Sequence, residues 1–306
     1  MKEVPQNLKL DNLITEQPNT AAADLDTKSA LEIAQIINSE DAKVATAVKQ
    51  TLPQIAQGID AIANALKRGG RLIYIGSGTS GRIGALDASE CPPTFQTDPR
   101  QVQFIVAGGK KTLYTAIEGA EDSRKLGEME IKKKKLTKND VVVGIAASGR
   151  TPFTIAAVEY ARKQSAKTIA LVCNKNSELG KAAEIEIVVE VGPEVVSGST
   201  RMKAGTAQKM VANMLTTGAM TRLGYVYGNL MVNVRLNNKK LIERGITILQ
   251  NATNVPREQA RQTLKAARNS VPTAMVMLKT GLNRIRAEKA LKAVGGNVRQ
   301  AINSAK

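Results

Sequence analysis

The chain has 306 residues, 44 basic and 27 acidic side chains, and no histidine. A chain without imidazole excludes Ser-His-Asp and Cys-His catalysis, His-ligated metal sites and phosphohistidine chemistry, and leaves proton transfer near neutral pH to carboxylates, Lys, Tyr or Cys. A hydrophobic content of 42% is that of a globular protein, and two scattered cysteines, Cys91 and Cys173, make no disulfide framework, so a reducing cytoplasm is expected.

The first 20 residues lack the apolar stretch of a signal peptide, and no apolar run reaches the ~18–20 residues that span a bilayer. Ser29-Ala30-Leu31-Glu32 reads as a capping box, followed at helical spacing by Ile33, Ile36 and Ile37. A second helix is expected over 51–67, with Ile55, Ile59, Ile62 and Leu66 on its buried stripe and Gly69-Gly70 ending it. The period then changes. Short runs rich in Val and Ile recur at 72–75, 102–107, 141–146, 168–172 and 185–191. They are nearly continuous in apolar character, as strands buried on both faces are. Helical patterns at 112–134, 151–164 and 177–184 separate most of them. The alternation predicts a doubly wound, three-layer αβα sandwich with a mostly parallel sheet, whose site lies beyond the carboxyl ends of the strands. From residue 205 onward the pattern reads as all helical. The expected organisation is an N-terminal helical segment (1–50), a sheet domain (51–235) and a C-terminal helical region (236–306).

Three hydroxyl-rich loops stand out. The first strand runs into Gly76-Ser77-Gly78-Thr79-Ser80-Gly81. Formally this is G-x-G-x-x-G, but the following strand ends in Ala107-Gly108-Gly109-Lys110, without the acidic residue that would hold a nucleotide ribose. Backbone N–H groups at a helix start, joined by Ser and Thr hydroxyls, suit a phosphate monoester; an ordinary capped strand–helix turn is the bland alternative. The third strand ends similarly in Ala147-Ser148-Gly149-Arg150-Thr151-Pro152, with proline placed to open a helix. Neither loop carries the G-K-[ST] ending of a P-loop. Ser197-Gly198-Ser199-Thr200-Arg201-Met202-Lys203-Ala204-Gly205-Thr206 is the third loop, an addition to an anion site or a capping loop.

Two acidic stretches follow. In 87–95, Asp87-Ala88-Ser89-Glu90-Cys91-Pro92-Pro93-Thr94-Phe95, a short helix is expected to end at the double proline. In 118–122, Glu118-Gly119-Ala120-Glu121-Asp122, three acids are expected inside a helix otherwise supplied with lysine. Spacing alone makes most such acids solvated. Charge is also uneven: residues 231–306 hold 15 basic and 3 acidic side chains but no Phe, Tyr or Trp. Bases would find no stacking platform there, so a solvated basic surface is preferred over nucleic-acid binding.

With these residues the sequence resembles the N-acetylmuramic acid 6-phosphate etherases, a branch of the sugar isomerase (SIS) domain superfamily. The matching text includes Leu13-Ile14-Thr15-Glu16, 78–82, 87–95, 118–122, 144–152, Gly192-Pro193-Glu194 and 199–209, and covers nearly the whole chain. The run 86–95 is its most specific part. The resemblance implies cleavage of a D-lactyl ether to N-acetylglucosamine 6-phosphate and D-lactate, in cell-wall sugar use, with no metal or redox cofactor. It implies Glu90 as the acid that protonates departing lactate and Glu121 as the base at C2. A histidine-free chain that must supply two proton-transfer groups agrees with two carboxylates. The phosphate is expected on Thr79, Ser80, Ser148 and Thr151. Arg150 and Lys203 are further substrate-binding candidates, with structure or a subunit interface as their alternative. Where members of the family often carry histidine before the Glu-Gly-Ala-Glu-Asp run, this chain reads Leu113-Tyr114-Thr115-Ala116.

A regular helix from Gly81 would place Glu90 ~13 Å from its start. Glu90 then reaches the site only if that helix lies across it, or if Glu90 completes the site of a second copy. A homodimer with shared sites is the favoured reading, with a small sugar phosphate as ligand and no membrane partner. A non-catalytic sugar-phosphate sensor like glucokinase regulatory protein, an aldose–ketose isomerase and a nucleic-acid-binding tail are the rivals.

Overall fold

The computed structural model describes residues 13–115, 117, 119–236 and 238–305. They divide into two compact units, Met1–Ala88 with Arg100–Thr216, and Ser89–Pro99 with Thr217–Lys306.

The first unit is built on five parallel strands: β1 (Leu72–Gly76), β2 (Val102–Val106), β3 (Val141–Ile145), β4 (Lys167–Val172) and β5 (Ile185–Val188), in the order β2-β1-β3-β4-β5. β1 and β3 are buried at every position. Alternate residues serve the two faces, as the period of two requires. Ile73, Ile75, Val142, Ala170 and Val172 pack with Phe153 and Val158 of α5 (Pro152–Lys163). On the other face, Gly58 of α2 (Leu52–Lys67) approaches Ile169, Ile187 and Leu215 of α7 (Lys203–Leu223) so closely that a Cβ there would stand 2.7 Å from Leu215. Helices therefore cover both faces, giving the expected three-layer α/β sandwich. At the amino ends of the strands, buried Asp140 accepts from Arg71 Nε (3.0 Å) and Nη2 (2.7 Å) and from Thr137 N (2.8 Å), tying β1 to β3.

Before the sheet, α1 (Ala30–Lys49) starts at the expected capping box, with Ser29 and Glu32 bonded reciprocally. α3 (Gly78–Phe95) follows β1, α4 (Arg124–Lys132) precedes β3, and α6 (Glu178–Ala182) follows β4. Two expectations are corrected here. α3 does not stop at Pro92-Pro93: it runs to Phe95, with Cys91 and Phe95 buried, and ends where Gln96 turns to φ 57°. Proline removes an N–H donor and crowds the preceding turn, but burial of the flanking side chains offsets that loss. The helix expected over 112–134 is instead a single 3-10 turn at Lys110–Leu113, a loop, and α4. Gly119 takes φ 77° and Ser123 caps α4 by accepting from Leu126 N at 3.1 Å, so Glu121 and Asp122 sit in a loop. Glu118 and Ala116 lie outside the described residues.

The second unit is mostly helical: α8 (Lys239–Thr253), α9 (Arg257–Ala266), α10 (Val271–Thr280), α11 (Arg284–Ala293) and α12 (Val298–Ser304) close around Ile246, Leu249, Leu264, Met275, Leu291 and Ile302. It is not all helical. β6 (Val226–Tyr227) and β7 (Leu230–Met231) form a hairpin on Gly228-Asn229, with Gly228 at φ 62°. Such a two-residue turn favours glycine at positive φ. Among the described residues no helix is long and apolar enough to cross a membrane.

Candidate functional site

In the strand order 2-1-3-4-5 the connections leave β1 and β3 in opposite directions, and the crevice at their carboxyl ends is where ligands bind in open α/β sheets. A cavity of about 1220 Å³ opens there. It is lined by Thr79 and Ser80 from the first turn of α3, by Ser148, Arg150 and Thr151 from the loop after β3, and by Glu121.

The glycines fix the first loop. A Cβ on Gly81 would stand 2.7 Å from both Gly76 O and Val106 Cγ2, so α3 can press against β1 and β2 only with glycine there. Gly78 at φ 52° turns the chain into the helix. The first N–H groups of α3 have no acceptor within the helix, and they open at the positive end of its dipole. In the second loop Gly149 has φ 67°, and a Cβ on it would lie 2.3 Å from Ser177 Cβ. Ser148 Oγ accepts from Arg150 N at 3.2 Å. Thr151 is the N-cap residue of α5, yet its side chain makes no capping hydrogen bond. Anion chemistry follows from this set: helix-terminal N–H groups, several hydroxyls and the guanidinium groups of Arg124 and Arg150 line one space.

Glu121 comes to the same space by a backbone tie. Its carbonyl accepts from Phe153 N at 3.0 Å, which joins the acidic loop to the first turn of α5 and so to Thr151. The Glu121 side chain is exposed to the cavity solvent. Glu90 is exposed as well, but it belongs to the second unit and is not among the cavity's lining residues. It stands twelve residues beyond Gly78, about 18 Å of helical rise.

Lys203, a substrate-binding candidate with a structural role as its alternative, is not among the cavity's lining residues. It is 1% exposed, and its Nζ pairs with Glu40 of α1. Burial alone would raise the Glu40 carboxyl, but hydrogen bonds from Lys203, Lys43 and Asn19 outweigh it and hold the group at about 2. Lys203 N and Ala204 N donate to Glu194 at 2.9 and 3.0 Å, so the Gly192-Pro193-Glu194 text caps α7. This lysine does not line the cavity and is spent on structure.

Sequence reasoning missed Asn174. It is buried just after β4, accepts from Ile14 N at 2.9 Å, and donates to Thr15 Oγ1 at 3.1 Å and Ala147 O at 2.9 Å. The amide thus pins the Leu13-Ile14-Thr15-Glu16 strap at the cavity, which Glu16 and Gln17 also line. The only signal was a polar residue directly after an apolar strand.

The chain is 48% identical to N-acetylmuramic acid 6-phosphate etherase 1 of Bacillus licheniformis over 97% of its own length and 98% of that protein. It is 51% identical to N-acetylmuramic acid 6-phosphate etherase of Vibrio vulnificus, over 97% and 99%. The chain belongs to the N-acetylmuramic acid 6-phosphate etherase family. Within this etherase-family chain, residues 126–218 match the SIS domain, residues 54–162 the glucokinase regulatory protein N-terminal SIS domain, and residues 228–268 the C-terminal lid domain of glucokinase regulatory protein. A solved Bacteroides fragilis chain, named for phosphosugar isomerase activity in capsule formation, is similar in fold: TM-score 0.50 at 17% identity, covering 66% of this chain and 95% of that one.

Proposed function

We infer that this chain cleaves the D-lactyl ether of N-acetylmuramic acid 6-phosphate to N-acetylglucosamine 6-phosphate and D-lactate, as an enzyme of cell-wall sugar reuse. One observation carries the reading: in a chain about half identical to named etherases, a carboxylate, Glu121, shares one cavity with two hydroxyl-rich loops at the sheet's switch point. The 6-phosphate is placed on Thr79, Ser80, Ser148 and Thr151 and the helix starts behind them, with Arg150 as a cation for the phosphate or the lactyl carboxylate. Opening of the sugar ring makes the C2 proton acidic beside the aldehyde. Glu121 takes that proton, the C2–C3 double bond forms, and the C3–O bond breaks with its electrons going to lactate oxygen. Glu90 gives lactate its proton. Water then adds, hydroxyl to C3 and a proton to C2, which restores both carboxyl groups.

Glu121 and Glu90 act in one site if Glu90 of the partner subunit reaches the cavity, so a homodimer with shared sites is part of the proposal. The exposed position of Glu90, far along α3, supports it. Cys91 and Cys173, both buried and not joined in a disulfide, suit a reducing cytoplasm. Each substitution Glu90→Gln and Glu121→Gln is expected to slow D-lactate release about 10²–10⁴-fold. Glu90→Gln should still exchange the C2 proton with solvent deuterium, whereas Glu121→Gln should not; full turnover by either variant would remove that residue's assignment.

The match of two glucokinase regulatory protein models favours one other reading, a sugar-phosphate sensor. A sensor binds a hexose 6-phosphate and returns it unchanged, which the same assay separates.

A further inference from the structure

Gln208 lies on α7, 1% exposed, directly behind the first hydroxyl loop. Its Oε1 accepts the Ser80 hydroxyl at 2.9 Å. Its Nε2 is buried with no hydrogen-bond partner among the described residues. Both facts bear on the same hydroxyl. Serine has one proton to donate, and a phosphate dianion offers only acceptors. A Ser80 that donates to Gln208 has nothing left for an anion in the cavity it lines.

A half-turn of the Gln208 carboxamide exchanges its oxygen and nitrogen while leaving every other atom in place. Nε2 then donates to Ser80 Oγ, and the Ser80 proton is released to point at the cavity. The buried N–H, the group least tolerated without an acceptor, gains one; the carbonyl oxygen that replaces it is the more tolerable orphan. The turned orientation is favoured when an anion accepts from Ser80.

We propose that Gln208 is a positioning residue for the anion site: by donating its amide to Ser80 Oγ it makes the Ser80 hydroxyl a donor to the phosphate of the substrate. The proposal rests on the sugar-phosphate reading above. It assigns to a buried residue that does not itself line the cavity a control over affinity, exerted through Ser80.

The test is a double-mutant cycle on the full-length protein, with binding of N-acetylglucosamine 6-phosphate and of inorganic phosphate measured by calorimetry. Gln208→Glu keeps the shape but replaces the N–H donor by an acceptor, and is expected to weaken both ligands about ten- to hundredfold, the range of a charge-assisted hydrogen bond. Ser80→Ala should weaken them comparably. The pair Ser80→Ala with Gln208→Glu should be no weaker than Ser80→Ala alone, because Gln208 then has nothing to act through. The penalty of Gln208→Glu relative to wild type should also shrink as pH falls, since a protonated carboxyl regains a donor for Ser80. Where thermal melting shows Gln208→Glu unfolded, Gln208→Leu carries the same cycle, with a loss in the Ser80 background and none in Ser80→Ala. Binding by the Gln208 variant within twofold of wild type, or losses that multiply in the double variant, overturns the role of Gln208 while wild-type lactate release keeps the etherase reading. A wild-type protein that binds neither ligand and releases no lactate overturns both.

Discussion

Glu40 is a carboxylate with almost no access to water, held on Lys203 Nζ, Lys43 Nζ and Asn19 Nδ2. Its folded value of about 2 lies below the ordinary 4.5, so the group stabilises the fold above pH 4.5 and that contribution is lost as pH falls from 4.5 towards 2. Removing one member of a buried pair leaves the other charge uncompensated, and Glu40→Gln is expected to destabilise the protein by about 3 kcal/mol at pH 7, read as a lower urea midpoint with unchanged slope. The difference between this variant and wild type should narrow below pH 4; a constant difference from pH 7 to pH 3 would show that the ion pair contributes nothing. At the residue scale the sequence identified Lys203 as a basic residue in a hydroxyl-rich loop but could not show that Glu40, 163 positions away, would claim it. A pairing of that range is a property of the fold. The hydroxyls of Thr79, Ser80, Ser148 and Thr151 were readable because each lies within a few residues of a strand end, where the topology alone directs them to one crevice.

At the scale of elements, the loop after β3 shows how backbone geometry holds the site. Gly149 combines φ 67° with contact against Ser177, so Gly149→Ala meets strain and a clash together. It is expected to cost about 2–3 kcal/mol of stability and to raise the KM for the phosphorylated substrate by displacing Ser148 and Thr151. A melting temperature and KM equal to wild type would remove this account of the loop. The strands were legible because each is a short, nearly continuous apolar run, and the helices alternating with them point to a parallel sheet. The stretch 112–134 was not legible. Its lysines and acids match a solvated helix in pattern, whereas Gly119 at positive φ and the Ser123 cap give a loop and a late helix start. That difference matters for chemistry, since it frees Glu121 from a helix face and lets the backbone tie to Phe153 bring it to the cavity. The Gly228-Asn229 turn was a readable hairpin signal, obscured by helical patterns on both sides of it.

The whole molecule is constrained by where its two proposed acids lie. If each site takes Glu121 from one protomer and Glu90 from the other, mixing inactive Glu90→Gln and Glu121→Gln proteins must restore activity. A mixed dimer carries one intact site and one doubly altered site. After full subunit exchange about a quarter of wild-type activity is expected, from half the dimers being mixed and each having one working site. No recovery under conditions where exchange is demonstrated would place both acids in one protomer. The absence of histidine, which first narrowed the chemistry, is met by this arrangement of carboxylates. The basic charge of residues 231–306 lies outside the cavity-bearing unit and is assigned no chemical step. The central claim is elimination across C2–C3 followed by addition of water. Turnover of N-acetylmuramic acid 6-phosphate in H₂¹⁸O tests it directly by mass spectrometry. Release of unlabelled D-lactate, with one ¹⁸O bonded to C3 of N-acetylglucosamine 6-phosphate, is the predicted result. Label in the lactate hydroxyl, or no lactate from the folded protein, would contradict it.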